Sequence, residues 1–104
     1  MLEIRKSDDS SSLNLIITGD VSVSQIGELQ TSLMSVPMDA SNYHFQIEKI
    51  ENLDLSFFQL LLAFTRKLLS LNKRLNFEWN LVEEYRRIME ESGFSNVFNE
   101  LQSI

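Results

Sequence analysis

The 104-residue chain contains no cysteine, one histidine, one proline and three glycines. Without cysteine there is no disulfide, no thiolate nucleophile and no cysteine-held zinc, a usage compatible with the cytoplasm. With His44 as the sole histidine, a metal site would have to be built almost wholly from carboxylates. The glycines are scattered, so no phosphate-cradling loop is present. The longest apolar run, residues 60–64, is too short to cross a membrane. The first ten residues, MLEIRKSDDS, lack the apolar segment of a signal peptide. Basic residues are outnumbered nine to fifteen, for a net charge of −6, which argues against non-specific binding to nucleic acid or to an anionic membrane.

What is present is the composition of an ordinary globular protein, 43% hydrophobic and 23% charged, of a length that fits one domain over residues 1–104. Leu2 and Ile4 alternate with charged residues, and Leu13, Leu15 and Ile17 mark a second strand. The serine- and aspartate-rich stretch 7–12 between them reads as a hairpin loop. Gly19 and Asp20 are expected to stop the second strand. Asp20 or Ser22 is expected to cap a helix, the latter in a capping box with Gln25. Ile26, Leu29, Leu33 and Val36 then recur at helical spacing until Pro37. Tyr43, Phe45 and Ile47 form a third strand, and Leu75, Phe77 and Trp79 a fourth. Asn80 is expected to cap a helix over 81–92 with three i,i+4 charge pairs: Glu83–Arg87, Arg86–Glu90 and Arg87–Glu91. Gly93 is placed to end it in a left-handed conformation. The tail, with Phe94, Val97, Phe98 and Leu101, reads as a turn or short strand and then a helical end docking on the core.

The order ββαβαβα implies parallel neighbours joined by right-handed crossovers. The third and fourth strands each have one polar face, unlike strands covered on both sides. The expected fold is therefore α/β: a two-layer sandwich, a mixed β-sheet with helices on one face.

The stretch ENLDLSFFQLLLAFTRKLL, residues 51–69, is the least ordinary in the chain. Its helix, expected over 55–71, leaves only a narrow polar stripe of Ser56, Gln59, Arg66 and Ser70. Either neighbouring helices crowd it or part of it meets a partner. Asp54 stands where an N-cap belongs. Ser56, in the first turn, is either a solvated serine or a recognition or phosphorylation site, since phosphate is favoured at a helix N-terminus.

Other polar groups suggest little chemistry. His44 lies on the polar face of a strand, and no nucleophile-elbow motif accompanies it. Asp8 and Asp9 belong to the hairpin loop. Arg66, Lys67, Lys73 and Arg74 complement a helix C-terminus or meet an acidic partner. Catalytic, cofactor and metal residues are therefore not assigned.

The layout resembles the STAS domain, the fold of bacterial anti-sigma factor antagonists. The stretch LNLIITGDVSVSQIGELQTSL looks like that family's second strand, turn and first helix. IEKIENLDLSFFQLLLAFTRKLLSLNKRLNF looks like its strand, Asp-Ser-x-Gly-type loop, long helix and next strand. LVEEYRRIMEESGFSNVF looks like its third helix and Ser-Gly-hydrophobic ending. The resemblance implies a non-catalytic, cytoplasmic signalling module without a cofactor. Its implied partner is a protein: an anti-sigma factor, a histidine-kinase-like ATPase or a chemotaxis-type component. An alternative is a cytoplasmic STAS subunit of a lipid ABC transporter. The implied partner-binding and switch residues are Asp54, Leu55, Ser56, Phe57, Gln59, Asp20 and Ser22. Leu55 stands at the usual phosphorylation position and has no hydroxyl, and Phe57 replaces the glycine. Ser56 is then the remaining candidate for modification.

Overall fold

The computed structural model describes residues 1–102. Four strands form one mixed sheet in the order β1 (Leu2–Lys6), β2 (Ser12–Val21), β3 (Asn42–Leu53) and β4 (Arg74–Trp79). The first two strands pair antiparallel, and the other two junctions are parallel. The hairpin loop turns through Ser10 at φ 60°. Asp9 accepts from the Ser7 and Ser11 hydroxyls, both at 2.8 Å, and from the Ser11 N–H at 3.0 Å. These bonds, the Ser11 backbone bond foremost, lower the Asp9 carboxyl to about 2.

The parallel strands are joined by α1 (Ile26–Met34) and α2 (Leu55–Ser70), and α3 (Glu83–Glu91) and α4 (Phe94–Leu101) follow β4. Successive strands lie side by side, so crossovers of one hand place their helices on one face. Burial confirms this layering. Leu13, Leu15, Ile17, Tyr43, Phe45, Ile47, Leu75 and Phe77 are buried beneath the helices. Asn14, Asn76 and Glu78 alternate with them and are exposed on the open face. The expected two-layer α/β sandwich is the fold found.

The core is rich in aromatic rings. Phe45 stacks on Phe77 at 5.2 Å, and Phe77 stacks on Trp79 at 5.7 Å. From the helix layer, Phe98 meets Phe77 edge-on at 5.2 Å, and Phe58 stacks on Phe94 at 5.4 Å. Such pairs add to the burial of large apolar surfaces. Helix α2 buries Phe57, Phe58, Leu61, Phe64, Thr65 and Leu68. It packs against α1, α3 and α4 as well as β4, so neighbouring helices account for its narrow polar stripe.

Several boundaries differ from the sequence reading. Helix α1 is preceded by Gln25 with no side-chain cap, so neither Asp20 nor Ser22 caps it. Helix α3 begins only at Glu83, after Val82, and Asn80 donates its N–H to the Ile47 carbonyl as a continuation of the sheet. Of the three expected charge pairs, Glu83–Arg87 is formed at 3.8 Å. Strand β2 does not stop at Gly19 and Asp20 but continues to Val21, because β3 also runs on, to Leu53 through Lys49 at φ 51°, and keeps pairing with it across register shifts around Gly19. The tail makes no strand between 93 and 101: Gly93, at φ 86°, turns α3 directly into α4.

Candidate functional site

Parallel pairing of β2 and β3 brings the two segments that leave their carboxyl ends side by side. The register sets Asp20 against Asn52 and Val21 against Leu53. Gly19, at φ 89°, occupies the irregular position just before, where a left-handed backbone suits a residue without a side chain. The turn 19–25 and the start of α2 therefore emerge together, at the strand ends where α/β folds expose loops to ligands.

Asp54 joins them. Its Oδ1 accepts from the Ser56 N–H at 3.0 Å and from the Ser56 hydroxyl. Its Oδ2 accepts from the Val23 N–H at 2.9 Å. One carboxylate thus caps α2, with extended backbone at φ −141°, and holds a turn 31 residues earlier in the chain. The Ser56 hydroxyl, then the Val23 N–H, hold the Asp54 carboxyl below its ordinary 3.8. A second carboxylate organises the turn itself. Asp20 Oδ1 accepts from the Ser22 N–H at 2.9 Å and its hydroxyl at 2.6 Å, and the Ser22 and Ser24 hydroxyls lie 3.0 Å apart. These Ser22 bonds, side chain first, lower the Asp20 carboxyl against repulsion from Asp54.

The surface over this framework is apolar at two points. Val23 is 67% exposed and Leu55 is 45% exposed. Ser24, Gln25 and Gln59 are exposed around them. Phe57 is fully buried and packs on Phe58, so it supports the site from below and offers nothing to a partner. Ser22 is also buried, at 6% exposure, and acts within the turn. The structure therefore brings Asp20, Ser22, Asp54, Leu55, Ser56 and Gln59 to one end of the fold, and it moves Phe57 and Ser22 from the surface to its support. Val23 was missed. It is an isolated valine between serines, and only its exposure and its N–H bond to Asp54 mark it.

His44 lies elsewhere, on the open face of the sheet. It lines a shallow depression of about 340 Å³ with Ser12, Asn14, Asn42 and Asn76. Among the described residues no group of three or more histidines and carboxylates is placed to hold a metal ion.

No family model matches the sequence, and no curated protein matches it. Solved structures do match the fold. The anti-sigma factor antagonist SpoIIAA in its unphosphorylated form superposes with a TM-score of 0.61 at 13% identity, covering 93% of this chain and 97% of that one. The Bacillus cell fate determinant SpoIIAA in its phosphorylated form gives 0.63 at 12%, covering 92% and 86%. A crystal structure of Mglu gives 0.62 at 13%, covering 74% of this chain; the present chain spans only 19% of that one. At these identities the likeness is one of fold, and it is the fold expected from the resemblance to STAS domains.

Proposed function

We propose that this protein, built on the fold of an anti-sigma factor antagonist, is a non-catalytic regulatory module that binds a signalling protein. The partner class is that of kinase-like anti-sigma factors and related ATPases. The supporting observation is the double use of Asp54. A single carboxylate caps α2 and fixes the turn 19–25, presenting Val23 and Leu55 as two apolar contacts with a polar rim. Exposed apolar residues set within polar surroundings are the usual core of a protein–protein contact. A framework held by local hydrogen bonds keeps such a contact pre-ordered, which limits the entropy lost on binding.

Leu55 cannot accept a phosphate, so partner affinity does not depend on modification at that position. Ser56 offers a different control. Its hydroxyl donates to Asp54. A phosphate on it would set a dianion against that carboxylate and displace the cap, the disruptive case of like charges in contact. Ser56→Asp imitates part of this change.

The test is capture of a kinase-like or sigma-regulatory partner by the tagged protein, followed by its dissociation constant for variants. Leu55→Asp and Val23→Asp should each weaken binding about tenfold or more while the circular dichroism spectrum stays native. Ser56→Asp should also change the affinity. Unchanged constants for all three would remove this surface from the interface. Specific capture of a transporter ATPase, lost in the same variants, would move the protein to the transporter-subunit alternative.

A further inference from the structure

The two edges of the sheet are not equivalent. On β4 the outward N–H of Phe77 is already engaged, by Gln102 Oε1 at 3.1 Å. Among the described residues, no strand lies beside the outer edge of β1. The direction of its hydrogen bonds follows from its pairing with β2. Met1 and Thr18 exchange bonds across the junction, and the Ser7 N–H donates to the Ser12 carbonyl. Bonding direction alternates along a strand, so residues 1, 3, 5 and 7 face β2. The N–H and C=O groups of Leu2, Ile4 and Lys6 therefore point outward, at an open edge.

The side chains on this edge carry a sign pattern. Leu2 and Ile4 lie opposite the buried Ile17 and Leu15, so they face the helix layer. Glu3 and Arg5 then project onto the open face, where they pair with each other. Natural edges are often guarded by charged side chains, lysine above all, and Lys6, opposite the buried Leu13, is one such residue. Glu-Ile-Arg is instead self-complementary when read in opposite directions.

We infer that β1 is a homodimer interface: two copies pair antiparallel through this edge about a two-fold axis at Ile4. The register is selected by chemistry. Opposed residues must both bond outward or both inward, so the axis passes through a residue. Centred on Glu3 it opposes two carboxylates, and centred on Arg5 it opposes two guanidinium groups. Centred on Ile4 it sets Glu3 of each copy against Arg5 of the other, and Ile4 against Ile4, which is 36% exposed in the single chain. Opposed residues in an antiparallel pair share a face, so both helix layers lie on the same side of the joined sheet. The contact is isologous and closes on itself, and the bond from Phe77 to Gln102 occupies the far edge, so the pairing stops at two copies.

Sedimentation equilibrium tests this at submillimolar concentration. The wild-type chain should show twice its 12.1 kDa mass, with the association weakened by salt. Glu3→Arg and Arg5→Glu should each be monomeric, because each opposes like charges. Mixed in equal amounts, the two variants should form a heterodimer, in which every opposed pair is again Glu with Arg. Repair of the ion pair inside one chain cannot produce that result. Ile4→Pro removes an outward N–H without touching the bonds to β2, so it should abolish the dimer while circular dichroism remains native. A monomeric wild type would overturn the inference, whether the edge is only guarded or receives a peptide of another protein. Self-association that survives the single charge reversals, or a mixture that stays monomeric, would overturn it as well.

Discussion

At Asp54 an ordinary helix cap has acquired a second task. Substitution by alanine removes the acceptor for the Ser56 N–H and hydroxyl, and the bond to Val23 with it. Loss of an aspartate cap costs about 1–2 kcal/mol, so Asp54→Ala should lower the urea midpoint without altering the fold. The difference between wild type and variant should depend on pH in one direction. The folded carboxyl lies below its ordinary 3.8. Its stabilising contribution is therefore complete above 3.8 and is lost as the pH falls through the depressed folded value. Denaturation curves at pH 7 and at progressively lower pH should converge for the two proteins. A gap that persists unchanged into strong acid would show that the carboxylate charge is irrelevant. Asp54 was legible as a cap from its place before an apolar helical run. The bond to Val23 was not, because a contact 31 residues distant leaves no local pattern.

Among the elements, the junction of α3 and α4 depends on a left-handed backbone. Gly93 turns the chain at φ 86°, and open space surrounds the point where a Cβ would stand. Gly93→Ala therefore tests strain without steric clash. It should destabilise the protein by about 1 kcal/mol, seen as a lower thermal midpoint in calorimetry. An unchanged midpoint would mean that the turn relaxes freely. This turn was readable in the sequence because the Ser-Gly-Phe ending offers glycine where the helix stops. The helix starts were less readable. Asp20, Ser22 and Asn80 are all good capping residues, but Asp20 and Ser22 bond each other, and Asn80 still belongs to the sheet ladder. Side-chain chemistry shows which residues can cap, and tertiary pairing decides which do. The extension of β3 to Leu53 was hidden for a related reason. Past Glu48 the alternation fails at Lys49, whose positive φ accompanies the irregular register against β2.

For the molecule as a whole, the two-layer arrangement was legible because period-two strands with one polar face exclude a second helix layer. The depth to which the tail belongs to the core was only partly legible, and it carries a consequence for cooperativity. Phe98 of α4 is fully buried and lies 5.2 Å from both Phe77 and Trp79. Phe98→Ala should cost about 3–5 kcal/mol, a large share of the 5–15 kcal/mol typical of a domain. Trp79, the only tryptophan, reports on this contact directly. Its fluorescence and the far-ultraviolet circular dichroism should change together in urea, at a lower midpoint in the variant. Fluorescence changing first would show α4 detaching as a separate unit.

The shared carboxylate also has a dynamic consequence. The Val23 N–H and the Ser56 N–H are anchored by the two oxygens of one side chain. Neither amide can be released by rotation of Asp54 without disturbing the other. The turn after β2 and the first turn of α2 thus open as a single local fluctuation, although they belong to different crossovers. Native-state hydrogen exchange should report similar opening free energies for Val23 and Ser56, and Asp54→Ala should make them diverge.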